Sequence, residues 1–259
     1  MGPQFSLATV VRLLVLAAAI PRQQSDWTQR CGDVDVPFPF GMDNKTYLDD
    51  TFLITCNTSF NTPKAFLGES NIEVTNISVD DGDLSVMQFR AKDCYYQSGN
   101  LTLNIEASIE FPKITISSSK NKFFAIGCDT YALAQAAKRE ERYATGCISF
   151  CGNKTTSFVS ESCSGSGCCK ATIANGLKNV TVKNVTVVLN SYFNHSEILE
   201  SNPCSYAFVA DETKFNSSKT TSFKDLESTE KLPIVINWAI GNESVRCDDA
   251  KKRNNYACK

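Results

Sequence analysis

Twelve cysteines in 259 residues constrain this chain more than any other feature. They are Cys31, Cys56, Cys94, Cys128, Cys147, Cys151, Cys163, Cys168, Cys169, Cys204, Cys247 and Cys258. An even count behind an apolar N-terminal segment reads as disulfides formed in an oxidising compartment, so all twelve are expected to be paired. Their density, about 5%, lies below the roughly 8–10% of scaffolds held mainly by bridges, so hydrophobic cores are expected as well. Spacing leaves the connectivity open. The first four cysteines allow three pairings and the last eight allow 105. This even split admits two independently bridged modules, with residues 131–145 as the junction. Adjacent Cys168 and Cys169 are expected to bond to different partners, because a vicinal bridge is strained.

Residues 1–24 read as a signal peptide. Residues 7–20 are apolar apart from Thr9 and Arg12, Ala17, Ala18 and Ala19 suit cleavage, and a polar stretch follows. The apolar segment is about 14 residues, short of the ~20 that a spanning helix needs. The competing reading is a buried N-terminal helix. Secretion has independent support in the Asn-x-Ser/Thr acceptors, which fall at Asn44, Asn57, Asn76, Asn100, Asn153, Asn179, Asn184, Asn194, Asn216 and Asn242. Serine and threonine make up about 18% of the chain, so chance predicts about three or four acceptors among its asparagines. Ten acceptors mark a secreted glycoprotein and make those positions solvent-facing.

The charge balance of 26 basic against 28 acidic residues excludes a nucleic-acid binder of the usual basic kind. The single histidine, His195, excludes mechanisms that need two, and its place inside the Asn194-His195-Ser196 acceptor predicts exposure. There is no Gly-x-Ser-x-Gly nucleophile elbow. The cysteine clusters are read as bridges rather than zinc sites. No catalytic residue and no metal ligand is assigned, and the chain is not read as an enzyme.

Hydropathy predicts a mainly β fold of two disulfide-bonded antiparallel modules, sandwich-like and with little helix. Residues 101–111 alternate apolar and polar with period two, the pattern of a half-buried strand or two collinear ones. Residues 71–79 and 84–89, joined by Asp80-Asp81-Gly82-Asp83, predict a hairpin. Residues 180–189 form a strand whose phase slips near Lys183-Asn184, as at a bulge. Residues 234–240 form another. Only residues 132–142 are strongly helix-permissive.

Cys31-Gly32-Asp33-Val34-Asp35-Val36-Pro37-Phe38-Pro39-Phe40-Gly41 resembles the signature that opens the galacturonan-binding extracellular region of plant wall-associated receptor kinases. The resemblance continues through Ile54-Thr55-Cys56-Asn57, Asp93-Cys94-Tyr95-Tyr96 and Phe123-Phe124-Ala125-Ile126-Gly127-Cys128. A second block is similar at Thr145-Gly146-Cys147, Gly165-Ser166-Gly167-Cys168-Cys169, Asn202-Pro203-Cys204-Ser205-Tyr206 and Asn237-Trp238. It covers nearly all of residues 30–258. Two family cysteines, one before the CG pair and one after the PFG, have no counterpart, as deletion of one bridge would leave. The resemblance implies a galacturonan-binding-type domain at 27–130 and a second cysteine-rich domain at 145–258. It extends to no EGF-like repeat, membrane helix or kinase, so kinase activity is not carried over.

The implied function is binding of pectin, homogalacturonan or oligogalacturonides in the plant cell wall, from the apoplast. The alternative is a protein-interaction module or decoy for a membrane receptor, and the least favoured reading is a carbohydrate hydrolase. A polyuronate needs lysine or arginine to pair with its carboxylates. The candidates are Lys120 with Lys122, Lys138 with Arg139 and Arg142, and Lys251-Lys252-Arg253; Lys120 and Lys122, both expected to be exposed, are favoured as ligand-binding residues. No cofactor is expected beyond calcium bridging to pectin through oxygen ligands. Phe38, Phe40, Tyr95, Tyr96 and Trp238 are read as core packing before sugar platforms.

Overall fold

Short alternating runs become seventeen strands in the computed structural model, which describes residues 28–109, 115–138, 141–151, 163–173, 185–191, 195–215 and 226–240. The proposed signal segment, Cys247 and Cys258 lie outside the described residues. The chain is mainly β, with several antiparallel sheets and five disulfides, and among the described residues α-helix is confined to Leu226 and Glu227.

A hairpin of β1 (Gln29–Cys31) and β2 (Val34–Val36) comes first. Its turn needs Gly32, at φ 58°, where a Cβ would lie 2.0 Å from the Pro63 carbonyl oxygen. Gly41 serves a second close approach, since a Cβ there would lie 2.5 Å from the Thr46 backbone. Both glycines of the CG…PFG signature therefore have packing roles.

A six-stranded sheet runs in the order β10 (Thr115–Ile116), β17 (Lys231–Asn237), β6 (Asp83–Phe89), β5 (Glu73–Ser78), β4 (Lys64–Leu67), β3 (Ile54–Asn57). A five-stranded sheet runs β14 (Cys168–Thr172), β11 (Asn121–Ile126), β16 (Cys204–Asp211), β7 (Ala91–Tyr95), β8 (Leu101–Ile105). A four-stranded sheet runs β13 (Glu141–Ser149), β12 (Thr130–Lys138), β15 (Val185–Ser191), β9 (Ala107–Ile109). One core joins all three, through Leu84, Val86 and Ile234 of the first, Phe123, Ala125 and Val209 of the second, and Ala132 and Ala134 of the third. A second core, with Phe124, Ile126, Tyr206 and Phe208, covers the opposite face of the five-stranded sheet.

The expected β5–β6 hairpin is present, with Gly82 at φ 67° in its turn. The strand expected at 234–240 is β17, which starts at Lys231 and ends at Asn237. For the strand expected at 180–189, the described part is β15, and residues 180–184 lie outside the described residues.

The described residues of the helix-permissive segment 132–142 are not helical. They belong to β12 and the start of β13, paired in register from Thr130↔Ser149 to Lys138↔Glu141. Alanine's helix preference is weak beside the burial that Ala132 and Ala134 gain inside a sheet, where they are 0% and 1% exposed. The alternating run 101–111 splits at Glu106, where the chain leaves the five-stranded sheet for the four-stranded one. Only β9 is half-buried; every residue of β8 is exposed.

The cysteine split does not make two separately bridged modules. Bridges join Cys31–Cys56, Cys94–Cys204, Cys128–Cys151, Cys147–Cys169 and Cys163–Cys168. Cys94–Cys204 and Cys128–Cys151 cross between the groups, and β6 pairs with β17 as β7 does with β16. Adjacent Cys168 and Cys169 take different partners, as strain in a vicinal bridge requires.

Candidate functional site

Lys120 and Lys122 flank Asn121, which anchors the start of β11. The buried Asn121 amide donates to the carbonyls of Ser117 and Val235, and its oxygen accepts from Val235 N at 2.9 Å. This fixes the two neighbouring lysines at the junction of the six- and five-stranded sheets.

The two lysines face different carboxylates. Lys120 Nζ donates to Asp83 Oδ2 and lies 3.8 Å from Asp81 Oδ2. The Asp83 side chain is only 7% exposed and also accepts from the Asn237 amide. The bond to Asp83 holds the Lys120 ammonium above the usual lysine range. Lys122 Nζ lies 3.8 Å from Glu212 Oε2, while Lys170 Nζ of β14 donates to Glu212 Oε1 at 2.8 Å. One carboxylate thus stands between two ammonium groups.

Exposure also differs from expectation. Lys120 is half-exposed, but the Lys122 side chain is 19% exposed because β14 and β16 flank its strand. Lys120 is therefore structural as well as cationic. Replacing it with alanine is expected to cost about 1–3 kcal/mol, since a buried carboxylate loses a partner. Lys122→Ala, which breaks a 3.8 Å ion pair and leaves no buried carboxylate without its partner, should cost less, about 1 kcal/mol or below. Urea unfolding of both variants checks the contrast.

Of the other basic sets, the side chains of Lys138, Arg139 and Arg142, and all of Lys251, Lys252 and Arg253, lie outside the described residues. Asp80, Asp81 and Gly82 lie in the β5–β6 turn and Asp83 begins β6, and among the described residues no group of three or more His, Cys, Asp or Glu could hold a metal ion.

The aromatic motifs divide between core and surface. Phe40 is 2% exposed and meets Phe52 and Trp238 edge-on, at centroid distances of 5.1 and 5.2 Å. Phe38, in contrast, is 49% exposed. Tyr95 is buried while Tyr96 is 68% exposed. Further rings lie on the outer face of the six-stranded sheet. Lys64 Nζ stands 5.1 Å from the Phe60 ring centre and Lys231 Nζ 4.5 Å from that of Phe89.

His195 is buried, not exposed. Its ring stacks on Tyr95 at 3.9 Å, and Nε2 lies 2.7 Å from the Asn202 carbonyl oxygen. The acceptor pattern fixes its asparagine and its serine or threonine but leaves the middle residue open, so His195 was free to turn inward. Of the ten acceptor asparagines, Asn44, Asn57, Asn76 and Asn100 are exposed, and the other six lie outside the described residues. Lys170 and Glu212 were not singled out from sequence. They reach Lys122 only through the β11–β14 and β11–β16 ladders, which carry no local signal.

A disulfide-bonded antiparallel β architecture with a lysine–carboxylate rim is the class these features define. Residues 25–88 match the family described as wall-associated receptor kinase galacturonan-binding, and residues 160–246 match wall-associated kinase. Among curated proteins, the chain is 33% identical over 245 residues to wall-associated receptor kinase 2 of Arabidopsis thaliana, covering 89% of this chain and 31% of that protein. It is 34% identical over 242 residues to wall-associated receptor kinase 5 of the same plant, covering 92% and 30%. The chain is thus a wall-associated receptor kinase ectodomain-like region. It spans about a third of the length of the curated relatives it matches. No solved structure matches. Among the described residues, no helix is long and apolar enough to cross a membrane.

Proposed function

We propose that this region binds galacturonan of the plant cell wall from the extracellular side and catalyses nothing. The match of residues 25–88 to the galacturonan-binding family carries the reading. The rim of Lys120, Lys122 and Lys170 supports it physically. Uronate carboxylates arriving there meet two ammonium groups that share one Glu212 carboxylate, and exchange with Glu212 needs no buried charge to be exposed. Lys120 adds a third ammonium group but stays tied to Asp83.

Calorimetric titration with oligogalacturonides is the direct test, run with and without calcium because pectin carboxylates and Asp81 could share a hard cation. Binding should weaken as salt rises, since exposed charge pairs are screened over about 8–10 Å at physiological ionic strength. Methyl-esterified ligand should bind more weakly, having lost the charges that lysine pairs with. The Lys122→Ala, Lys170→Ala double variant should lose affinity at an unchanged thermal midpoint. Equal binding of esterified and free polymer would remove the charge mechanism. Absence of binding under both calcium conditions would remove the function.

A further inference from the structure

Two of the exposed glycan acceptors stand on the outer face of the six-stranded sheet. Asn57 ends β3 with Lys64 of β4 as its Cα partner, and Thr55 is opposite Phe66. Residues opposite each other in an antiparallel pair share a face, so Asn57, Lys64 and Phe66 point to the side away from buried Ala65 and Leu67. Asn76 of β5, opposite Ser85, lies on this outer face too.

Phe60 follows Asn57 by three residues, and its ring centre lies 6.4 Å from that of Phe66, tilted by 33°. Phe60 remains 43% exposed, so an aromatic pair stands in water beside a glycan acceptor. The Asn57 side chain is already oriented. Its Oδ1 accepts from Ser59 N at 2.9 Å and Ser59 Oγ at 2.7 Å, an Asx turn that leads the chain towards Phe60.

We propose that Asn57 carries an N-glycan whose first N-acetylglucosamine packs on the Phe60 ring, with Phe66 beside it. The apolar C–H face of a pyranose suits the negative face of an aromatic ring, and the sugar's equatorial hydroxyls stay in water. Attachment forms a bond between sugar C1 and Asn57 Nδ2. The donor is a lipid-diphosphate-linked oligosaccharide; its C1–O bond breaks, the lipid diphosphate leaves and the amide gives up one proton. Because β3 is the edge of its sheet, the same glycan blocks strand addition by another chain. The proposal does not use the galacturonan reading, and its test contains no polysaccharide ligand, so the two fail separately.

The experiment uses the full chain secreted from a eukaryotic host. Peptide mass spectrometry should find Asn57 occupied. Asn57→Gln and Asn57→Asp should both lower the thermal midpoint by about 2–4 °C, the shift that ~1 kcal/mol gives in a chain of this size. Asn57→Asp keeps the oxygen that accepts from Ser59, so its loss reports the sugar and not the turn. In a Phe60→Ala background, where the Lys64 and Phe66 contacts of that ring are lost equally from both members of each comparison, the same substitutions should change the midpoint by less than about 1 °C. Trimming the glycans to a single N-acetylglucosamine should leave the contribution of Asn57 intact. Three results would each overturn the proposal: a bare Asn57, a parental midpoint in Asn57→Asp, or equal losses with and without Phe60.

Discussion

Replacing both Cys94 and Cys204 with alanine is expected to cost about 4 kcal/mol, a large part of the ~5–15 kcal/mol that stabilises a typical domain. The bridge joins residues 110 apart, and chain entropy makes a long loop the most valuable to close. Cys128–Cys151 and Cys147–Cys169 lie inside that loop and shorten it in the unfolded chain, which trims the effect slightly. Removing Cys163–Cys168, which spans five residues, should cost only about 2 kcal/mol by the same relation. Urea unfolding of the two double variants gives the ranking. A larger loss from the short loop would mean that native-state packing, and not unfolded-state entropy, dominates. The long bridge matters beyond entropy because it locks β7 to β16, whose ladder places Cys94 opposite Cys204.

Stability should depend on pH through Asp93 and His195, with opposite signs. Asp93 is 2% exposed and accepts from the Asn104 amide at 2.7 Å; burial pushes its carboxyl up to about 6 from an ordinary 3.8. A raised carboxyl favours the folded state when protonated, so this contribution is complete below about pH 3.8 and lost as pH rises through about 6. Burial lowers the His195 pKa below its ordinary 6.5, although the Asn202 carbonyl and the Asp129 charge oppose the shift. That contribution is complete above pH 6.5 and fades as pH falls. The titratable groups around this cluster are Tyr95, stacked on His195, Glu106, whose charge also raises the Asp93 carboxyl, and Asp129, which accepts from Ser191 Oγ at 2.6 Å.

The two slopes oppose each other in the parent protein as pH falls below 6.5. Asp93→Asn keeps an oxygen for Asn104 and removes one slope. Its stability should climb with pH up to about 6.5, and at pH 7 it should exceed the parent by up to about 3 kcal/mol. Thermal or urea unfolding from pH 4 to 7 measures both curves. Superimposable profiles would show that Asp93 titrates as an ordinary carboxylate.

Much of the local architecture was written in the residues themselves. Alternating polarity placed β5 and β6, an acidic turn with Gly82 joined them, and the strain of a vicinal bridge separated the partners of Cys168 and Cys169. The CG…PFG signature and the cysteine blocks were enough to reach the family. These features are local, because side-chain period and turn chemistry depend on neighbours along the chain. Tertiary structure alone decided which strands meet. It made a sheet strand of alanine-rich 130–138, turned His195 inward onto Tyr95, and paired Lys120 with an aspartate 37 residues earlier. It also drew strands from both halves of the chain into each of the three larger sheets. No local pattern encodes such contacts. They follow from burying one shared core, in which the energy of placing Phe123, Val209 and Ala134 together outweighs the preference of any single segment.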